Sequence, residues 1–338
     1  MVALLFGGSM LLAVVVATRD TASPAVTTTT FPSSTTTTST TTLVATTALG
    51  PVTAPPTAPL PPPAALPGDV RVVITKSGVV LPVLAAEGAD RWKVRTPCGN
   101  EGHVVGARPV TGAAVVIDAG HGGNEPGAKS PDGLPEKGVN LAVALEAGQS
   151  LELQGFPTVL TRYSDYRVTI EVRAQIVQAL RPKAFVSVHH NAEPDEPRPK
   201  PGSETYYQRS SADSRRLSGL LYEEIVRALS VYDVPWVGDT DAGAKYRTNS
   251  QGSDYYGILR RTAGVTSVLA ELAFISNPPE ADLLRRPDVQ RVEGDAVARG
   301  IVRYLTTNDP GSGFVAGYTR TSPAGSGGGG TNCVDPPL

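Results

Sequence analysis

Apolar and polar positions follow two rhythms across residues 112–306. Short apolar runs, AAVVID, PTVLTR, AFVSVHH, SETYYQ and SVLAELAFI, read as strands. Between them apolar residues recur at helical spacing. Leu141, Leu145 and Leu151 mark a helix over about 137–154, and Ile170, Ala174, Val177 and Leu180 mark a second. Leu217, Leu220, Leu221, Ile225 and Leu229 place a third over 211–229, and a last helix covers 288–306. Strands alternating with helices predict an α/β fold, a mostly parallel twisted sheet with helices on both faces.

The flanks read differently. Residues 69–111, with DVRVVITKSGVVLPVL and DRWKVRTPCGNEGHVVGARPV, alternate short strands with Gly, Pro and charged turns. They predict a small β module, marginal on its own. It is either an SH3-like binding unit or packing added to the main domain. Residues 307–338 are rich in Gly and Ser and predict a flexible tail. Residues 21–68 carry no charge and consist mainly of Thr, Ser, Pro and Ala. Such a segment buries too little apolar surface to offset its ordering entropy, and predicts a disordered linker. Ahead of it, within 1–20, residues 2–17 are an unbroken apolar run. It is shorter than the roughly 20 residues of a membrane span and suits an export signal. No Lys or Arg precedes it, so an uncleaved membrane anchor is the alternative.

The formal net charge is −2, which argues against a nucleic-acid partner. Of two cysteines, Cys98 and Cys333, neither belongs to a C-x-x-C pair, so a cysteine zinc site or a thioredoxin-like centre is excluded. In an oxidising compartment the two are expected to form one disulfide, the alternative being two free thiols.

Ligands of open α/β sheets bind beyond the carboxyl ends of the strands. His121 follows the strand in AVVIDAG, Glu136 opens the helix after the first loop, His189 ends AFVSV, and Glu271 lies late in SVLAEL. Two His and one carboxylate with a coordination position left open make a catalytic zinc site. A further carboxylate off the metal, Glu271, can take a proton from water. Singly each has a plainer reading. A His after a Gly-rich turn is commonly a turn residue, and a Glu at a helix start complements the dipole. Glu271 in an apolar strand is harder to dismiss, because a buried unpaired carboxylate is costly.

The four features occur in motifs that resemble the zinc-dependent N-acetylmuramoyl-L-alanine amidases of the Amidase_3 family, over about residues 113–305. VVIDAGHGGNEPGA, LPEKGVNLAVAL, FVSVHHNAE and VLAELAFISNPPEADLL are similar to its four ordered motifs, and TRYSDYRVTIEVRAQI to its intervening T-R-x-x-D…R pattern, with Arg162, Asp165 and Arg173. The resemblance implies His121, Glu136 and His189 as ligands of one Zn2+ and Glu271 as the catalytic acid–base. It implies cleavage of the amide between N-acetylmuramic acid and L-alanine in peptidoglycan, outside the cytoplasmic membrane. It also places the second histidine ligand two residues after Ser187, at His189 rather than His190. Two positions depart from the pattern: His190, where a small residue is usual, and Ala273, where Gly is usual. His190 is expected to pack or to face solvent, the alternatives being to line the cleft or to support a ligand from behind. The Gly-rich stretch 238–257 is expected to rim the cleft. Trp236, Tyr255 and Tyr256 either stack on substrate or pack locally. Competing functions are another zinc peptidase of the wall, a non-catalytic wall-binding regulator on the same fold, and a tethered adhesin.

Overall fold

A computed structural model describes residues 70–193, 196–321 and 332–338. The predicted export segment and linker lie outside the described residues. The chain opens with β1 (Val72–Ile74), β2 (Val80–Ala86), β3 (Arg91–Arg95), β4 (Glu101–Val105) and β5 (Arg108–Val110). These make an antiparallel sheet in the order β4-β3-β2-β1-β5.

The main domain follows with β6 (Val115–Ala119), α1 (Glu136–Leu153), β7 (Thr158–Leu160), α2 (Ile170–Leu180), β8 (Ala184–Asn191), β9 (Pro197–Arg198), β10 (Glu204–Tyr207) and α3 (Ala212–Leu229). It continues through β11 (Trp236–Val237), β12 (Ala244–Lys245), β13 (Arg247–Thr248), α4 (Gly257–Arg261), β14 (Ser267–Phe274), α5 (Pro278–Leu284), α6 (Pro287–Thr306) and β15 (Tyr318–Thr319). Six of these strands form the main sheet, in the order β12-β10-β14-β8-β6-β7, while β11 pairs with β9 and β13 with β15. Within the main sheet all pairs are parallel except β10 with β14. From β6 the chain steps to β7 on one side, then crosses back to β8 on the other. Right-handed crossovers in opposite directions put α1 and α2 on opposite faces and open a crevice between the ends of β6 and β8.

Strand alternation sorts the core into two layers. Val115, Ile117, Val186, Val188 and Ala270 face α1, α3 and α6. Val116, Phe185 and Leu269 face α2 and join Val72, Leu81 and Val94 of the five-stranded sheet in one apolar cluster. Residues 70–111 therefore pack as a cover over α2. Tyr166 pins that cover, its hydroxyl accepting from Val80 N at 3.2 Å and donating to Gly78 O at 3.1 Å. Among the described residues no helix is long and apolar enough to cross a membrane.

The stretch predicted to be a flexible tail is not one where it is described. Ala244 N donates to Gly313 O, Val315 N donates to Ala244 O, and β15 pairs with β13, so residues 311–319 cover the outer edge of β12. Phe314 packs against the core with the Arg215 guanidinium 3.6 Å over its ring. Farther on, Cys333 is bonded to Cys98, and the Asp335 carboxylate accepts from Thr96 Oγ1, Cys98 N and Asn100 Nδ2, each at 2.8 Å. Backbone hydrogen bonds and one disulfide order a segment whose side chains alone predict no structure.

The bond joins positions 235 residues apart, so breaking it frees a very long loop in the unfolded chain. Cys333→Ser is expected to lower stability by about 2–4 kcal/mol. Urea titration under non-reducing conditions reads this; a wild-type midpoint in the variant would contradict it.

Candidate metal centre

The register of the sheet lines up three polar residues at its crevice end. Glu204 of β10 is level with Glu271 of β14, which is level with His189 of β8. The loop after β6 brings in His121, and the first turn of α1 brings in Glu136. The structure thus unites His121, Glu136 and His189, whose candidate ligand atoms all lie within 4.8 Å of one another.

Glu136 stands between the two imidazoles. His121 Nε2 is 3.1 Å from its Oε2, and His189 Nδ1 is 3.0 Å from its Oε1. The rings meet edge to face, with centroids 4.9 Å apart. Ala128 N donates to Oε2 at 2.8 Å, while Asn140 Nδ2 at 2.9 Å and His190 N at 3.1 Å donate to Oε1. Burial opposes ionisation of Glu136, but the hydrogen bonds from His121 and His189 overcome it and hold the carboxyl well below its usual range. Burial likewise opposes a charge on His121, yet Glu125 and Glu136 raise it to about 9. Glu125 Oε1 lies 2.9 Å from His121 Nδ1, leaving Nε2 as the nitrogen that faces the cluster. Glu125 is held in turn by Arg167 Nε at 3.2 Å.

His121 has φ 61°, a left-handed conformation that a non-glycine residue adopts only when its surroundings enforce it. Two buried arginines do so. Arg173 donates to His121 O at 2.6 Å and Ala119 O at 2.7 Å. Arg162 donates to Ala119 O and Gly120 O at 3.0 Å, and to Lys137 O at 2.7 Å. Burial and the neighbouring Arg173 charge lower Arg162 only to about 10, so it stays cationic at neutral pH. Asp118 balances the pair. It bonds Arg173, Ser187 Oγ and Thr161 Oγ1, and against its burial these hold it below the usual carboxylate range. Two glycines admit the cluster at all: a Cβ on Gly120 would overlap the His189 ring, and one on Gly127 would overlap Glu136 Oε2.

Glu271 borders this group. The residue keeps part of its surface open, but its Oε2 is buried and has no hydrogen-bond partner among the described residues. Burial, then the charges of Glu136 and Glu204, raise its carboxyl well above the usual range. Glu204 also has company: Lys245 Nζ at 2.5 Å and Tyr206 Oη at 2.7 Å. Glu204, Asp239 and Asp241 form a second acidic group. The Lys245 ammonium already lies within it, bonded to Glu204 and Asp241, and supplies its positive charge.

His190 does not face solvent. It is buried on the opposite side of β8 from His189, with Nδ1 2.7 Å from Asn140 Oδ1 and Nε2 3.4 Å from Glu293. Trp236 and Tyr255 are buried, and Tyr256 packs on Tyr206 with centroids 4.7 Å apart, so these aromatics serve local packing. Within 238–257, Ala244–Lys245 form β12 at the edge of the main sheet and Arg247–Thr248 form β13 beside β15. Sequence reasoning gave no role to Glu125, Asn140 or Glu293. Glu125 lies in the VVIDAGHGGNEPGA motif and Asn140 in LPEKGVNLAVAL, and each is four residues after a candidate ligand, while Glu293 has no local signal.

A fold with its crevice at the end of a parallel sheet, lined by two histidines and acidic residues, defines a hydrolase-type α/β site. The chain belongs to the Amidase_3 family, N-acetylmuramoyl-L-alanine amidase, whose model matches residues 115–303. A Bacillus subtilis protein, the uncharacterized YqiI, is 36% identical over 200 residues, covering 59% of this chain and 87% of its own. N-acetylmuramoyl-L-alanine amidase AmiC of Neisseria meningitidis is 28% identical over 249 residues, 65% of this chain and 58% of its own length. Cwp6 from Clostridium difficile superposes with a TM-score of 0.51 at 28% identity, over 58% of this chain and 30% of that one.

The shift of His121 gives a pH dependence. Its value rises from 6.5 to about 9 on folding, so the metal-free folded chain holds an extra proton in that window. The stability contributed is full below 6.5 and lost as pH rises through about 9. The melting midpoint of chelator-treated protein should therefore fall across this window, and less steeply in His121→Gln. Equal slopes would contradict the pairing.

Proposed function

We propose that the chain is a zinc-dependent hydrolase of the amide between N-acetylmuramic acid and L-alanine in peptidoglycan, with His121, Glu136 and His189 holding one Zn2+ and Glu271 moving the proton. The observation that carries this reading is the carboxylate of Glu136 clamped between two imidazoles beside a Glu271 oxygen with no partner among the described residues. Two nitrogens and one carboxylate are the donor set of an open zinc site. Zinc held there would polarise the scissile carbonyl and lower the pKa of an attacking water.

The chain's own residues do the rest. Arg173 and Arg162 fix the backbone that aims His121. Glu125 keeps Nδ1 of that ring occupied, so Nε2 is the donor offered. Glu271, level with His189 on the next strand, accepts the proton of the attacking water through its carboxylate and returns it to the leaving amine of L-alanine. Ionised Glu136 and Glu204 raise its proton affinity. A bound cation would offset part of that rise and leave Glu271 better suited to exchange a proton.

The substrate is a wall polymer, so the domain acts outside the cytoplasmic membrane. Residues 2–17 suit an export signal or anchor, and 21–68 a tether that carries the domain into the wall. The cover formed by 70–111 is assigned to packing rather than to wall binding, on its shared apolar cluster with α2.

Digestion of peptidoglycan with purified protein, with and without chelator, tests the reaction. Mass analysis should show intact stem peptides released from glycan, lost with chelator and restored by zinc. Fragments cut within the stem peptide would make the chain a peptidase. Glu271→Ala should keep zinc but lose about 10²–10⁴ in rate; near wild-type digestion by that variant would refute its role. His189→Ala should lose most of its zinc, and retention of wild-type zinc content would move the ligand elsewhere.

A further inference from the structure

We infer that His190 and Glu293 are positioning residues for Glu136, acting through the amide of Asn140; this rests on the reading of Glu136 as a metal ligand. The orientation of each group follows from the one before it. Asn140 Nδ2 lies 2.9 Å from Glu136 Oε1 and 3.3 Å from the Gly120 carbonyl. Both oxygens can only accept, so the amide nitrogen must face them, and Oδ1 must face His190 Nδ1 at 2.7 Å. An amide oxygen also only accepts, so Nδ1 of His190 carries a hydrogen. Nε2 then faces the Glu293 carboxyl, 3.4 Å from both of its oxygens. Wherever the proton between those two groups rests, Nδ1 keeps its own.

The result is a line of donors that points from α6 to the metal cluster. Glu293 fixes the ring of His190, His190 fixes which way the Asn140 amide turns, and the amide presents NH2 rather than C=O to Glu136. The backbone of the same residue reinforces it, since His190 N donates to Glu136 Oε1 at 3.1 Å. With Ala128 N on the other oxygen, the carboxylate cannot rotate, and its free lone pairs stay on His121 and His189.

Stability alone does not account for the pair. Both side chains of His190 and Glu293 are fully buried, packed between β8, α1 and α6. A polar pair removed from water this completely, charged or neutral, is commonly no better than apolar residues of the same volume. The layer around it is Val, Ala and Leu, which an apolar pair would continue. What an apolar pair would not do is turn the Asn140 amide.

Zinc affinity of the full-length protein, measured by competition with a chromophoric chelator, tests this, with wild type and His121→Ala as references. Asn140→Asp replaces the NH2 donor by an acceptor of equal size and should weaken affinity about 10–100-fold. The double variant His190→Leu/Glu293→Leu replaces the pair by apolar side chains of similar volume and leaves no buried charge. It should weaken zinc by a similar factor while the melting midpoint of the metal-free form stays near wild type. The visible spectrum of the cobalt-loaded double variant should also change, since Glu136 is freed to alter its mode of binding. A folded double variant with wild-type affinity and spectrum overturns the inference. If that variant does not fold, Asn140→Asp decides, and wild-type affinity there overturns it equally. Failure of wild type to bind zinc better than His121→Ala would sink the ligand assignment itself.

Discussion

An ionised carboxylate buried between two imidazoles is the constraint on which the site depends. Glu136 is almost wholly removed from water, and a charge there is costly unless it is paired and hydrogen-bonded. Every surrounding element contributes to that pairing: the loop after β6 through His121 and Ala128, β8 through His189 and the backbone of His190, and α1 itself through Asn140. Two lone-pair sets are satisfied from behind, which aims the rest at the histidines. A metal ion in that place would replace the protons that now join the three side chains.

The loop of His121 needs its own support because its backbone is strained. Arg162 and Arg173 gather the carbonyls of residues 119–121, and Asp118 with Ser187 and Thr161 balances their charge on the α2 face of the sheet. That face is sealed from solvent by α2 and the five-stranded sheet above it. The cover therefore stands in line with the site: it keeps dry the layer in which two buried arginines do their positioning. The opposite face holds His190 and Glu293 against α1 and α6. The His121–Glu136–His189 group sits at the edge where both layers end.

Much of this was legible in the sequence, and the limits are physical. Short continuous apolar runs located the strands of the main domain, because β6, β8 and β14 are buried on both faces, and helical spacing located its long helices, which bury one. His121, Glu136, His189 and Glu271 stood out because polar residues at strand ends and helix starts are unusual in apolar surroundings. The direction of His190 was not legible. Alternation separates it from His189 but does not say that its side of β8 is met by Asn140 and by Glu293, more than a hundred residues away. The order of residues 307–321 was hidden for a different reason. Gly313 and Ala244 hold each other by backbone groups, and backbone groups are the same in every sequence. The roles of Arg162 and Arg173 lay in motifs that could be seen but not explained, since carbonyl acceptors leave no trace in side-chain pattern.

The central claim is that one metal ion belongs between His121, Glu136 and His189. Anomalous diffraction at the zinc absorption edge, on crystals of the zinc-loaded protein, tests it most directly. The account predicts a single strong peak within bonding distance of those three side chains, with Glu271 near it but not bound. A peak among Glu204, Asp239 and Asp241 instead, or none between the two histidines, would contradict it.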